Sequence, residues 1–117
     1  MGRLSTHVLD TSRGLPAAGV EVQLHALRDD GRYLVATMTT NQDGRTDGPL
    51  AEGNAMPTGI YELTFRVASY LRGHGVPLSE PPFLGDVIVR IGIADSSGTY
   101  HVPLLFSPFG YSTYRGS

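Results

Sequence analysis

The sequence predicts an all-β domain, either a sandwich or a barrel, built from seven or eight short strands with at most one short helix. Apolar and polar residues alternate along several short runs, which is the period of a strand with one buried face. Many of the 15 glycines and 8 prolines lie between these runs, where they predict turns. The length of 117 residues fits a single domain, residues 1–117, with one core that needs no disulfides.

Seven stretches of the chain carry the strand pattern. In the clearest of them, residues 20–26, valine, leucine and alanine occupy one face, while glutamate, glutamine and histidine occupy the other. Similar runs of aliphatic, aromatic and β-branched residues recur after each turn. The predicted strands are residues 4–10, 19–28, 33–40, 59–67, 86–95, 100–106 and 109–114.

The segments between the strands have the composition of turns and loops. Asp29, Asp30 and Gly31 form a hairpin signal. Residues 41–49 form a polar loop of the kind that often carries function. Residues 68–72 could form one or two helical turns, and the glycines that follow them would end the helix there.

The composition excludes several classes of protein. Cysteine is absent, so a disulfide scaffold, a zinc finger and a thiol nucleophile are excluded. The net charge is −2 and the chain has no run of lysine or arginine, so nucleic acid is not an expected partner. No apolar run is long enough for a signal peptide or a membrane span. We therefore expect a soluble, cytoplasmic protein.

Three residues from distant parts of the chain are candidates for chemistry. His7 and His101 lie in predicted strands, where a lone histidine is more often structural. Arg45 lies in the polar loop, where a solvated cation is the ordinary interpretation. Pro103 follows His101 by two residues and lacks an amide donor. It predicts that this strand lies at a sheet edge or a bulge, where a side chain can point into a cleft.

The pattern of the histidines narrows the chemistry. The chain contains no H-x-H, H-x-x-x-H or H-E-x-x-H motif, so a metal site is not expected. The G-x-S-x-G motif of a serine nucleophile is also absent. Base-assisted attack by water remains, in which a neutral histidine takes a proton and a guanidinium holds the developing oxyanion. A nearby arginine would also lower the pKa of that histidine.

Motifs along nearly the whole chain resemble those of a known family. They are L-S-T-H-V-L-D at 4–10, P-A-A-G-V at 16–20, T-N-x-D-G-R at 40–45, G-x-Y-E-L at 59–63, P-P-F-L at 81–84, H-V-P-L-L-x-S-P at 101–108 and Y-S-T-Y-R-G-S at 111–117. On these motifs the chain resembles the 5-hydroxyisourate hydrolases, which are transthyretin-like enzymes of urate breakdown. The terminal Y-R-G-S is the most specific motif, because it distinguishes the hydrolases from transthyretin itself.

The resemblance implies which residues form the site. His7, Arg45 and His101 would line the active site, and Tyr114 and Ser117 of the terminal motif would close it. His7 and His101 would handle water and protons, and the sequence leaves open which of them is the general base. Arg45 would bind substrate oxygens and stabilise the oxyanion. Tyr114 would wall the pocket and bind the substrate, and Ser117 would orient water or a histidine.

The resemblance also implies the reaction and the assembly. The substrate would be 5-hydroxyisourate, hydrolysed to 2-oxo-4-hydroxy-4-carboxy-5-ureidoimidazoline without a cofactor or a metal. The fold would be a transthyretin-like two-sheet sandwich of seven to eight strands with one short helix. It would assemble as a homotetramer, a dimer of dimers. The family often has histidine where this chain has Thr99, so one contact beside His101 is expected to be lost without loss of activity.

Two alternatives come from other functional classes. A transthyretin-like carrier would bind a small ligand of the thyroid-hormone type without catalysis. The bulky Tyr114 argues against a carrier, because it would narrow the ligand channel. A sandwich module that serves only as an interaction domain is the second alternative, and the specific terminal motif argues against it.

Overall fold

The structure, a computed structural model, describes residues 2–117. Within this range the chain forms nine strands, one α-helix and one turn of 3₁₀ helix at Gly53–Ala55. The helix, α1, spans Val67–Gly73. The strands are β1 Arg3–Asp10, β2 Leu15–Pro16, β3 Glu21–Arg28, β4 Gly31–Thr39, β5 Ala51–Glu52, β6 Gly59–Phe65, β7 Val87–Ile93, β8 Thr99–Ser107 and β9 Gly110–Thr113.

The strands form two sheets that pack face to face. The five-stranded sheet has the order β2-β1-β8-β9, and β5 also pairs with β1. The four-stranded sheet has the order β4-β3-β6-β7. The predicted two-sheet sandwich with one short helix is therefore confirmed.

The seven longer strands correspond to the seven predicted ones, with ends that differ by at most two residues. The two additional strands, β2 and β5, have two residues each. Two residues are too few to show an alternating pattern, so the sequence could not predict these strands. The predicted helix at 68–72 is confirmed as α1.

The core lies between the inner faces of the two sheets. Leu24, Leu63, Phe65 and Phe106 have almost no exposed surface, and burial of each such side chain contributes about 1.5–3 kcal/mol. Because side chains alternate along a strand, the residues between these inward positions point away from the core. On the five-stranded sheet, these outward-pointing residues form its outer face.

The first and the eighth strands are parallel neighbours. β1 and β8 share a register that includes Ser5↔His101 and His7↔Pro103. Parallel neighbours need a long connection, and here that connection contains the whole four-stranded sheet. Residues from the two ends of the described chain therefore lie side by side.

The prediction that Pro103 marks a sheet edge or a bulge is wrong, because β8 lies between β1 and β9. The ladder with β9 ends at Leu104↔Thr113, and one further bridge, His101↔Gly116, continues the same register. The gap in the ladder lies opposite Pro103, where the Thr113 hydroxyl donates to the Pro103 carbonyl at 2.7 Å. An interior proline is tolerated here because no ladder bond requires its missing amide.

Candidate active site

The outer face of the five-stranded sheet carries the two histidines that the sequence analysis selected. Ser5 and His7 are half-buried on this face of β1, between buried residues that point to the core. On β8, His101 lies beside Ser5, and Pro103 lies beside His7. Since neighbouring strands are about 4.8 Å apart, the two histidines occupy diagonally adjacent positions on one face.

The polar loop brings Arg45 to the same part of the sheet. Arg45 forms an antiparallel bridge with His7, and the Val8 amide donates to the Gly44 carbonyl at 2.8 Å. Gly44 has a φ of +76°, and a Cβ there would lie 2.3 Å from the Val8 carbonyl oxygen. Only glycine allows this close approach, so Gly44 sets Arg45 beside His7.

Asn41 fixes the backbone of this loop. Its side-chain oxygen accepts hydrogen bonds from the amides of Asp43 at 2.9 Å and Arg45 at 3.2 Å. The backbone amide of Asn41 donates to the Arg45 carbonyl at 2.7 Å. Arg45 is exposed, and no carboxylate of residues 2–117 forms a salt bridge with it. A fixed backbone with an unpaired guanidinium suits the binding of an oxygen-rich ligand.

The hydrogen bond of His7 defines its tautomer. Nε2 of His7 lies 2.9 Å from the carbonyl oxygen of Asp43. A carbonyl oxygen only accepts, so Nε2 carries the hydrogen, and Nδ1 of the neutral ring keeps its lone pair. The loop that positions Arg45 therefore also orients His7.

His101 is kept neutral by its surroundings. Burial lowers the pKa of His101 below the usual 6.5, and Arg45 lowers this pKa further, as does the His7 ring in its protonated form. Nδ1 of His101 lies 2.8 Å from the hydroxyl oxygen of Ser5. The ring is therefore uncharged near pH 7, in the form that can accept a proton.

The terminal segment, residues 114–117, passes along the other side of His101. The Gly116 amide donates to the His101 carbonyl at 2.7 Å. A Cβ at position 116 would lie 2.7 Å from Cδ2 of the His101 ring and 3.4 Å from Cγ of Pro103. The backbone can pass this close to the imidazole only because residue 116 is glycine.

Arg115 anchors the terminal segment on the opposite side of β8. Its Nη2 donates to the Thr99 carbonyl at 3.0 Å, and its guanidinium carbon lies 4.2 Å from the centre of the Tyr100 ring. This distance is that of a cation–π contact. Tyr100 is buried on the core side of β8, so Arg115 and Gly116 contact the two faces of the strand that carries His101.

Tyr114 and Ser117 are both exposed. The register of β9, continued to the Gly116 bridge, puts Tyr114 opposite Pro103 and therefore in the row that holds His7. Its side chain is 60 % exposed. The structure brings His7, Arg45 and His101 together with Tyr114 nearby, but it gives Ser117 no hydrogen bond to the rest of residues 2–117. The role of Ser117 stays a prediction.

A cavity of about 340 Å³ lies under the terminal segment, on the side away from the histidines. Its lining includes Tyr100 and Val102, which point to the core side of β8, and residues of β7. The cavity lies between the edges of the two sheets. Tyr114 also lines this cavity, whereas His7, Arg45 and His101 do not.

The sequence analysis missed Ser5. Ser5 precedes His7 by two residues, so a shared face of the strand was predictable. Its partner His101 could not be identified, because parallel pairing between the first and the eighth strands leaves no local signal in the sequence. The contact at 2.8 Å emerges only from the folded sheet.

The other two histidines lie away from this site. His25 is on the outer face of the four-stranded sheet, and His74 follows α1, where its Nδ1 accepts from Arg13 at 3.2 Å. Among residues 2–117, no three His, Asp or Glu side chains are grouped as a metal site requires. No helix in the described range is long and apolar enough to cross a membrane.

The fold and the site together define a class of protein, a transthyretin-like sandwich with a polar cluster on the outer face of one sheet. The structure of sea bream transthyretin in complex with thyroxine superposes with a TM-score of 0.88 at 27 % identity, over 97 % of this chain and 94 % of that one. The model of the HIUase/transthyretin family matches residues 4–116. The chain therefore belongs to the HIUase/transthyretin family.

Several relatives carry the name that the motifs indicated. The 5-hydroxyisourate hydrolase 2 of Rhizobium meliloti (strain 1021) is 57 % identical, over 99 % of this chain and 97 % of its own length. The structure of Klebsiella pneumoniae 5-hydroxyisourate hydrolase has a TM-score of 0.84 at 32 % identity and covers both chains completely. The structure of (S)-allantoin synthase has a TM-score of 0.93 at 43 % identity, but this chain spans only 44 % of its length. The resemblance to the hydrolases is confirmed.

Proposed function

We propose that this chain hydrolyses 5-hydroxyisourate to 2-oxo-4-hydroxy-4-carboxy-5-ureidoimidazoline in the breakdown of urate. The observation that carries the proposal is the meeting of His7, Arg45 and His101 on one sheet face, with an unpaired guanidinium and a neutral imidazole. The names of the relatives support the same substrate, and one of them is 57 % identical.

In the proposed mechanism His101 is the general base. Water attacks the carbonyl carbon of an amide-type bond in the six-membered ring, and a C–O bond forms as the water proton passes to His101. The carbonyl electron pair moves onto its oxygen, where the guanidinium of Arg45 stabilises the negative charge. The intermediate then collapses by cleavage of the C–N bond, and the protonated His101 returns the proton to the leaving nitrogen.

The proposed binding residues are His7, Arg45 and Tyr114. The planar fork of Arg45 can donate to two oxygens of a heterocycle at once. Since Nε2 of His7 is taken by the Asp43 carbonyl, its Nδ1 is the atom left to accept a hydrogen bond from a ring N–H group. Tyr114 forms the wall opposite, and Ser117 orients water or a histidine through its hydroxyl or terminal carboxylate.

We also propose that the active form is a homotetramer, a dimer of dimers, in the cytoplasm. Among the described strands, β7 and β9 each have one edge without a partner. Phe83 and Phe109 are 73 % and 76 % exposed, with ring centres 6.1 Å apart. Exposed aromatic pairs and free strand edges favour association. A second copy facing the outer sheet would also enclose the histidine cluster.

The hydrolase activity is tested by generating 5-hydroxyisourate from urate with urate oxidase and following the decay of its absorbance. We expect the protein to accelerate this decay at catalytic concentrations and the product to carry a new carboxylate. A decay rate equal to that of the protein-free sample would contradict the proposal.

The carrier alternative is tested in the same preparation by calorimetric titration with thyroxine. The complex of sea bream transthyretin with thyroxine makes this ligand the appropriate probe. We expect no saturable binding, because Tyr114 carries a bulky side chain on the outer face. Tight thyroxine binding together with an unchanged decay of 5-hydroxyisourate would favour a carrier.

A further inference from the structure

We propose that Ser5 is a positioning residue for His101: its hydroxyl accepts a hydrogen bond from Nδ1–H, and Nε2 thereby keeps the lone pair that takes the proton from water. The proposal rests on the proposed hydrolase function, to which it adds a further residue. Ser5 itself touches neither water nor substrate in this role.

The first support is the geometry of the two strands. Ser5 and His101 are register partners on adjacent parallel strands, and both are half-buried on the outer face. The Ser5 oxygen lies 2.8 Å from Nδ1 of His101, which is the ordinary length of such a hydrogen bond. A backbone pairing of eight residues holds this contact, so it does not depend on a flexible loop.

The second support is the contact on the opposite edge of the ring. Cδ2 of His101 faces the backbone of Gly116, and a Cβ there would lie only 2.7 Å away. The imidazole is therefore bounded by β1 at its Nδ1 edge and by the terminal segment at its Cδ2 edge. Nε2 is the remaining ring nitrogen, and no hydrogen bond joins it to any residue from 2 to 117.

The direction of the hydrogen bond decides the chemistry. A serine hydroxyl can donate or accept, and the hydrogen bond at one ring nitrogen sets the state of the other. If Nδ1–H donates, Nε2 has a lone pair and can act as a base. If the hydroxyl donates to Nδ1, Nε2 of the neutral ring carries the hydrogen and cannot act as a base. Only the first arrangement fits a base at Nε2.

The two directions also shift the pKa of His101 in opposite senses. The other charged or titratable groups that act on this ring are Arg45 and His7. An accepting hydroxyl stabilises the protonated ring, so its removal lowers the pKa of His101 further. A donating hydroxyl stabilises the neutral ring, so its removal would raise the pKa.

The test compares Ser5→Ala with the wild type and with Ser5→Thr, which restores the hydroxyl. For Ser5→Ala we expect a loss of kcat on the order of tenfold, a KM within about twofold, and an acid limb of the kcat profile at lower pH. Ser5→Thr should recover most of kcat. Imidazole ¹⁵N NMR of His101 should report the Nδ1–H tautomer in the wild type and a loss of that preference in Ser5→Ala.

Thr6→Val is the matched control. The Thr6 hydroxyl donates to the Val102 carbonyl at 2.6 Å across the same two strands, but on the buried side. This variant should lower the melting temperature and leave both kcat and the His101 tautomer unchanged. It separates a general weakening of the β1–β8 pair from the positioning of the ring.

Three results would overturn the proposal. They are an unchanged kcat profile in Ser5→Ala, a shift of its acid limb to higher pH, and an Nε2–H tautomer in the wild type. If the wild type does not accelerate the decay of 5-hydroxyisourate at all, the proposed function fails instead. The NMR spectra still show which nitrogen of His101 carries the hydrogen, and therefore the direction of the hydrogen bond to Ser5. The two failures are thus distinguishable.

Discussion

The outer faces of the two sheets contain the same residue types but differ in how their charges are compensated. On the four-stranded sheet, the register aligns His25, Glu62 and Arg90 in one row. Glu62 is buried and accepts from Arg90 at 2.8 Å and from Arg32 at 3.4 Å. Both guanidiniums are therefore paired with a carboxylate within the chain.

On the five-stranded sheet, the corresponding row holds Arg45, His7 and Pro103. Its guanidinium has no carboxylate partner among residues 2–117. Because Arg45 is exposed, its charge is solvated and costs the fold little, and the guanidinium is available to a ligand that supplies negative charge. The two faces therefore differ in whether the guanidinium near the histidine is held by a carboxylate, as Arg32 is, or left without one, as Arg45 is.

The pKa values of the two histidines do not separate the two faces by themselves. Burial lowers the pKa of His25, and Arg32 lowers it further, but Glu62 raises it. Burial also lowers the pKa of His101, and there both neighbouring charges, Arg45 and His7, act in the same direction. A lowered pKa occurs on both faces, so it does not identify the site by itself.

The largest expected effect comes from removing one histidine from each face. His101→Asn should reduce kcat about 10²- to 10⁴-fold, because the general base is lost. His25→Asn should leave kcat within about twofold, although both rings are half-buried on a sheet. The rate of 5-hydroxyisourate decay measures both variants. Equal losses in the two would remove the distinction between the faces.

The next effect concerns the guanidinium. Arg45→Gln should reduce kcat/KM about 10²- to 10³-fold, as for the loss of an oxyanion donor. Arg90→Gln, on the other face, is the matched control and should leave kcat/KM nearly unchanged. Circular dichroism should report a folded sandwich for both variants. An Arg45→Gln variant with nearly normal kcat/KM would exclude Arg45 from the mechanism.

A smaller effect is expected from a single methyl group on the terminal segment. Gly116→Ala forces the segment away from His101 and should reduce kcat roughly tenfold to a hundredfold, because the site is displaced. Gly92→Ala adds the same group to β7, where the nearest atom is at 3.8 Å. It should be neutral or slightly stabilising. Normal turnover by Gly116→Ala would show that the terminal segment only packs.

The pH dependence should distinguish the two faces more finely. His101 must be neutral to act as a base, so kcat should fall as the pH drops through its lowered pKa, which lies below 6.5. In Arg45→Gln one of the charges that lower this pKa is gone, so the acid limb of the residual activity should move up toward 6.5. An acid limb that stays in place in this variant would contradict the electrostatic coupling.

The smallest effect concerns stability and involves no activity. The hydrogen bond from Arg90 lowers the pKa of Glu62 below 4.5. A depressed carboxyl pKa stabilises the fold above 4.5, and this contribution is lost as the pH falls through the lowered value. Glu62→Gln should therefore cost about 1 kcal/mol at pH 7 and less in acid, as measured by urea unfolding. A larger cost in acid would contradict this account.

Much of the fold was predictable because it depends on local patterns. The alternation in 19–28 predicted β3, and the glycines after 68–72 predicted where α1 ends. The pairing of β1 with β8 was not predictable, because it joins residues nearly a hundred positions apart. For the same reason the prediction that Pro103 lies at an edge was wrong.

The candidate residues could be selected from the sequence, but their geometry could not. The motifs indicated His7, Arg45 and His101, and nothing local placed Gly44 against Val8 or Ser5 against His101. Those contacts depend on sheet register and on close backbone approaches. The sequence therefore indicated the candidate side chains, and the folded sheet shows how they are held.

The most direct test of this account measures 5-hydroxyisourate decay with two double variants, each confined to one face. We predict that 5-hydroxyisourate decays at the protein-free rate in the presence of His101→Asn/Arg45→Gln. With His25→Asn/Glu62→Gln, its decay rate should match that with the wild type within about twofold. Catalysis retained by the first double variant, or lost selectively by the second while it remains folded, would contradict the claim that the uncompensated face is the catalytic one.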